Sequence, residues 1–357
     1  KMKVMITYGR RAPYPTFGWQ MAKAFQQLGH TVIFLPVRDR PWWGTALKRV
    51  IPKRWKARWG WDQVAWANRL TLSAVERYRP ALLIEVDGDL FSASTLQLIK
   101  RRWGTRLGVH LVEDQFREPP PPALFEYDWV ASTSRIAVDY LRDAGISRAA
   151  YLPFATDPDW FRPSPRGYAA QVHPLSFIGA YSPKRVAVLE SVADQLSLWG
   201  SEWDTRCASL PLRRALRDRR GVFGRGLVRC YQTSKLCINI QREHMTTQDE
   251  AGRPIGTGLG WRHFDVPACG SLVLTEEVLE LPDAFVPGQE VETFRSPEEL
   301  RDKARHLLSH EPQRQAMIQR ARQRVLQEHT YLHRARKWVE WYERRLPNTL
   351  THGRITK

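Results

Sequence analysis

The sequence predicts an α/β protein made of two Rossmann-like halves facing each other across a cleft. Three observations carry that expectation. Apolar, strand-length runs at 3–8, 31–35, 81–86, 106–111 and 127–132 alternate with helix-length segments, as in parallel sheets covered on both faces. The stretch 153–174 holds five prolines in 22 residues, and proline fixes φ and lacks an N–H, which suits an extended hinge. Beyond it the strand–helix alternation starts again.

Taken in order, residues 3–8 read as a strand and 9–18 as a Gly/Pro loop. A helix over 19–28 stops at Gly29, and 31–35 forms the second strand, which gives a β-loop-α-β unit with the expected helix stop. The loop has no G-x-G-x-x-G pattern, so no dinucleotide site is expected there. A basic, helix-rich segment spans 43–78, followed by a strand at 81–86, a helix at 92–103 and a strand at 106–111. Four prolines, Pro119 to Pro122, force an extended loop. A strand at 127–132, a helix at 136–144 stopped by Gly145, and a short strand at 149–152 complete the first half.

The second half reads as a strand at 175–178, a helix at 184–198, a basic region and a strand at 236–240. A short helix opened by Arg262 and Asp265 follows, then a stop at Gly270, a strand at 271–274 and helices at 297–309 and 311–328. The last helix, 331–345, keeps Tyr331, Ala335, Trp338, Val339 and Tyr342 at packing spacing. The expected division is 1–160, 173–330 and a closing helix at 331–346.

Size and composition bound the function. A chain of 357 residues can bury two cores. No apolar run approaches the roughly 20 residues a membrane span needs, and Met2–Tyr8 is too short and strand-like for a signal peptide. The four cysteines form no C-x-x-C pair, so reduced thiols and a cytoplasmic setting are expected. The 55 basic and 37 acidic residues leave a net charge of +18, a surface that attracts polyanions. The excess is clustered. Residues 38–61 hold eight Lys/Arg and five Trp, and Arg206 to Arg229 includes eight Arg with one Asp. Basic residues interleaved with Trp suit peripheral contact with an anionic membrane or stacking on nucleic acid.

Ligands of open α/β sheets bind beyond the carboxyl ends of the strands. Here those ends carry Gly9–Arg11, Asp87–Asp89, Glu113–Asp114, Gly179–Arg185, Asn239–Arg242 and Thr275–Glu276. In Gly260–Thr275 a helix start and a strand end converge, which makes a place for a nucleotide diphosphate. A carboxylate able to act as a general base is expected just past the strand at 106–111. Asp114 leads that set, with Glu113 and His110 beside it in sequence. In a strand His110 and Asp114 share a face and Glu113 points the other way. Asp87-Gly88-Asp89 matches an Asp-x-Asp metal pattern, but three residues after a strand read as a turn. Neither a metal nor a resident cofactor is expected.

Several segments resemble the GT-B glycosyltransferases, specifically the CgeB-like (spore-maturation-protein type) branch. They are Ser176 to Arg185, Cys237 to Gln241, Arg262 to Gly270, Leu274 to Glu276, Phe285 to Glu290 and Glu328 to Tyr331. In the first half, Asp128 to Ser134 and Tyr151 to Asp157 fit as well. The resemblance covers about the last two-thirds of the chain. It implies a GT-B fold, with a nucleotide-sugar donor held by the second half and an acceptor by the first. The C-terminal helix would return to the N-terminal half. Arg262, Lys184 and Arg185 would meet the diphosphate, and Gly179, Asn239, Thr275 and Glu276 would complete the donor site. Asp265 falls where retaining members carry the second Glu of a Glu–seven residues–Glu pair, expected near the donor ribose. Thr257 stands where the first would be, so retention of configuration does not carry over. The resulting expectation is a metal-independent, hexosyltransferase-like enzyme. The runner-up is a degenerate scaffold of this fold that binds nucleic acid or an anionic surface.

Overall fold

The structure is a computed structural model, and it describes residues 1–9, 16–37, 63–112, 119–241, 246–248, 252 and 254–344. The first half comprises β1 (Lys3–Tyr8), α1 (Phe17–Gln27), β2 (Thr31–Pro36), α2 (Gln63–Tyr78), β3 (Leu82–Val86), α3 (Ala93–Trp103) and β4 (Arg106–Leu111). β5 (Trp129–Ser132), α4 (Arg135–Asp143) and β6 (Ala149–Tyr151) complete it. The six strands form one parallel sheet in the order β2-β1-β3-β4-β5-β6. All five residues of β3 are buried, Glu85 among them, which is why that segment reads as a nearly continuous apolar run. Ser92 caps α3 by accepting from the Thr95 N–H, and Ser134 does the same for α4 through Ala137.

The second half contains β7 (His173–Ile178), α5 (Pro183–Leu189), β8 (Leu196–Trp199), α6 (Trp203–Arg206), α7 (Leu210–Ala215), β9 (Leu216–Asp218), α8 (Gly224–Gln232) and β10 (Ser234–Asn239). A small hairpin, β11 (Thr246–Gln248) and β12 (Pro254–Gly256), precedes α9 (Arg262–Ala268). β13 (Leu272–Glu276), β14 (Glu292–Phe294), α10 (Pro297–Ser309), α11 (Glu311–Glu328) and α12 (Tyr331–Glu343) follow. The second parallel sheet runs β14-β13-β10-β7-β8-β9.

Sequence reading differs from the structure in this half. The helix expected over 184–198 ends at Leu189, and Leu196–Trp199 is instead a fully buried strand between β7 and β9. β9, β14 and the hairpin strands were not anticipated, because three residues carry too little periodicity to register.

The halves are not separate lobes along their whole length. One apolar cluster runs from Phe17, Phe25 and Trp338 through Phe154 to Phe264 and Phe285, so a shared core fills the junction. The chain crosses that junction twice. The Thr156 N–H donates to the His329 carbonyl at 3.0 Å, and the Tyr331 N–H donates to the Thr156 carbonyl at 3.1 Å. After the second crossing α12 packs on α1 and lays Trp338 over the first sheet. A Cβ on Gly108 would collide with the Trp338 ring, so the absence of a side chain at this position of β4 is what admits that ring.

Candidate donor site

Four elements of the second half bring their ends together. β7 stops at Ile178, β10 at Asn239 and β13 at Glu276, while α9 starts at Arg262. A buried network ties them. Asn239 Nδ2 lies 3.2 Å from both Thr275 Oγ1 and His263 Nε2, and His263 Nδ1 lies 3.2 Å from the Gly260 carbonyl. Burial pushes His263 down to about 4, so the ring is neutral, donates from Nδ1 to Gly260 and accepts at Nε2. The network fixes the turn at 257–261, which leads into α9.

The backbone N–H groups of Gly260, Trp261 and Arg262 have no hydrogen-bond acceptor among the described residues. Arg262 reaches back beneath β7 and donates through Nη2 to the Ile178 carbonyl. Its Nε is buried with no acceptor. Among the described residues no carboxylate lies within ion-pair distance of Arg262, whose residue is only partly exposed. Lys184, at the start of α5, pairs with Glu276 at 2.9 Å, and the same carboxylate accepts the Gln241 N–H at 2.9 Å.

Several expected contacts are corrected. Asn239 and Thr275 are 3% and 0% exposed and spend their polar atoms on the network, so they position the turn from below. Arg185 is buried with its fork on the Ala180 carbonyl at 2.7 Å and the Ile240 carbonyl at 3.3 Å, where it joins two strand ends. The Gly179 carbonyl is taken by Trp203 Nε1 at 2.8 Å, and a Cβ on Gly200 would collide with that carbonyl. Asp265 is 6% exposed and accepts from Thr156 Oγ1 at 2.7 Å. Burial raises this carboxyl well above its ordinary range. Its visible partner is the interdomain crossing rather than an open ribose site.

His110 is also corrected as a base. It is wholly buried between the Phe17 and Trp338 rings, hydrogen-bonded from Nε2 to the Leu152 carbonyl at 2.9 Å, and burial pushes it down to about 3. A ring sealed in the core cannot reach an acceptor. Asp114 and Glu113 lie outside the described residues, as do Arg10, Arg11 and the Trp-rich segment 38–61.

Sequence reasoning missed the most connected carboxylate at the junction. Glu280 is fully buried. Its Oε1 accepts from the Arg135 N–H and from Thr257 Oγ1, both at 2.9 Å, and its Oε2 accepts from the Gly258 N–H at 2.8 Å. Thr257 Oγ1 is also 2.7 Å from Ser134 Oγ, and Arg135 pairs with Asp283 at 2.6 Å. Glu280 thus sits at the start of α4 in the first half and beneath the 257–261 turn of the second. The Phe154 and Trp261 rings meet nearby, 5.0 Å apart. No sequence pattern marks Glu280, because its partners are 22 to 145 residues away.

Two six-stranded parallel sheets joined by a double crossing, with the last helix returning to the first sheet, match solved structures over nearly the full chain. Sucrose-phosphate synthase from Thermosynechococcus elongatus aligns with a TM-score of 0.64 at 13% identity, covering 96% of this chain and 98% of that one. AviGT4, a glycosyltransferase involved in avilamycin A biosynthesis, gives 0.64 at 16% identity, with 96% and 98% covered. The fold is GT-B. Anabaena HepE in complex with UDP and glucose aligns at 0.61 with 12% identity, covering 95% of this chain and 99% of HepE. At such identities the likeness establishes architecture alone. Independently, residues 184–340 match the sequence profile of the family described as glycosyl transferase-like. That span runs from Lys184 through Arg262 to α12. No curated protein gave a significant sequence match. Among the described residues no helix is long and apolar enough to cross a membrane.

Proposed function

We propose that this protein is a metal-independent glycosyltransferase that moves a sugar from a nucleotide-sugar donor to an acceptor hydroxyl. The observation that carries the reading is the Arg262 guanidinium. It is partly withdrawn from water at the convergence of three strand ends and has no carboxylate partner among the described residues. A cation so placed is costly without a counter-charge, and a diphosphate supplies one in the geometry a guanidinium binds best. The glycosyl transferase-like match over 184–340 supports the same assignment, as does the UDP and glucose held by HepE on this fold.

In this mechanism the anomeric carbon–oxygen bond to the diphosphate breaks as the acceptor oxygen bonds to that carbon. Charge developing on the departing nucleoside diphosphate falls on Arg262, with Lys184 as a second cation once its pairing with Glu276 is shared. The acceptor proton passes to a carboxylate, and Asp114, with Glu113 as its neighbour, fills that role in our reading. We take the sugar to be a hexose, the acceptor to bind the first half and the setting to be cytoplasmic. The segment 38–61 adds peripheral contact with anionic lipid, tested by co-sedimentation with anionic and neutral vesicles.

The deciding experiment is a donor-hydrolysis screen across UDP-, GDP-, dTDP- and ADP-sugars. Turnover of one nucleotide class, lost in Arg262→Ala with the fold intact, is the expected result. Near-normal turnover in Arg262→Ala would sink the assignment.

A further inference from the structure

A cavity of about 530 Å³ opens beside Cys269 and Gly270, at the amino end of β13. That is the opposite end of the strand from Thr275 and Glu276, so the cavity is separate from the proposed donor site. The first crossing forms one wall through Pro163, Ser164 and Gly167, and α11 forms the other. Its size falls in the roughly 300–1,000 Å³ range of small-molecule sites.

The α11 wall has an unusual composition. Gln315, Gln319, Gln323 and Gln327 recur at every fourth position, which helix geometry turns into a single row. The last three line the cavity beside Arg322, and no Asp or Glu lines it. Arg322 makes no hydrogen bond or ion pair among the described residues, and its Nε is shut away from solvent. Across the space, Gln171 spends its Nε2 on the Gly270 carbonyl at 2.9 Å, which leaves its oxygen uncommitted.

A buried donor left unpaired costs about 1–3 kcal/mol, so Arg322 Nε is stabilised by an occupant that accepts from it, while the exposed amides of Gln319, Gln323 and Gln327 remain open to the same ligand. Glutamine amides both donate and accept, as sugar hydroxyls do, and a guanidinium grips a phosphate by its fork. Ile318, Leu326 and Pro163 add apolar surface for the C–H face of a ring. We propose that this cavity is a second binding site, for a phosphorylated sugar. Its occupant bridges the first crossing to α11, the helix that feeds the second crossing at His329 and Thr330. It therefore joins both connections between the halves.

The test is isothermal titration of the full chain with glucose 6-phosphate, glucose 1-phosphate and fructose 6-phosphate, with inorganic phosphate and glucose as controls. At least one sugar phosphate binds the wild type, and Arg322→Met weakens it tenfold or more. Gln323→Glu, an exposed change that adds a repelling charge without touching the core, weakens it as well. Binding persists in Arg262→Ala and in saturating UDP, so failure of the donor-site reading leaves this one standing. Four results overturn the proposal: no heat with any sugar phosphate, equal affinity in both α11 variants, phosphate alone binding as tightly, or displacement by UDP.

Discussion

Glu280 offers the sharpest test of how the two halves are held. Its carboxylate is fully buried and receives three hydrogen bonds, at 2.9, 2.9 and 2.8 Å, from Arg135, Thr257 and Gly258. In Glu280→Ala the N–H groups of Arg135 and Gly258 lose their acceptor inside the protein, and a void replaces the side chain. Hydrogen bonds to a charged acceptor are worth about 1.5–3 kcal/mol each, but bonds sharing one carboxylate are not additive, so the whole loss is about 3–5 kcal/mol. Glu280→Gln keeps the volume. Its amide oxygen can serve Arg135 and Thr257, yet its NH₂ then faces the Gly258 N–H, donor against donor, at a cost of about 2 kcal/mol. Denaturant unfolding of the full chain therefore ranks the wild type above Gln and Gln above Ala. The variants also free the turn at 257–261, so the donor KM rises more than kcat falls. A Glu280→Ala chain within about 0.5 kcal/mol of wild type, or a Gln variant worse than Ala, would refute the reasoning.

Three further outcomes follow from the same geometry. Arg262→Ala lowers kcat/KM by about 10²–10³, the usual effect of deleting one preorganised donor at a developing charge, with an unchanged melting temperature as the control for folding. Gly108→Ala drives a methyl into the Trp338 ring and costs about 1–3 kcal/mol by overpacking; equal denaturation midpoints would contradict the packing of α12. Glu85, buried in β3 and hydrogen-bonded by Tyr127 and the Leu90 N–H, is raised by burial from 4.5 to about 8. Between those values the folded chain holds a proton that the unfolded chain has released, so stability declines as pH rises through the window, by about 1.4 kcal/mol per unit. Glu85→Gln cannot titrate and flattens that decline, which unfolding at pH 5, 6.5 and 8 would show. Parallel pH profiles for the two proteins would remove Glu85 from the account.

Much of the architecture was legible because the signals are local. Runs such as Leu82–Val86, apolar except for Glu85, are buried on both faces, and stops such as Gly29, Gly145 and Gly270 adopt the left-handed backbone that ends helices. The helices 297–309 and 311–328 were readable to the residue from proline near the start and sustained periodicity. Strands β8, β9 and β14 escaped because three or four residues gain their conformation from ladder partners rather than from pattern.

The candidate site divides along the same line. The sequence by itself determined which residues gather at the strand ends, because a parallel α/β chain delivers every strand's carboxyl end to one edge. That put Lys184, Asn239, Thr275 and Glu276 at one edge, and the resemblance to GT-B proteins added Arg262 and implied a donor site for them all. Only the tertiary structure decided their duties. Packing depth took Asn239, Thr275, Arg185 and His110 into the interior, and left Arg262 without a carboxylate among the described residues. It also placed Glu280 against a turn 22 residues earlier in the chain and a helix start 145 residues earlier. Burial and long-range pairing are properties of the assembled core, and no window along the chain contains them.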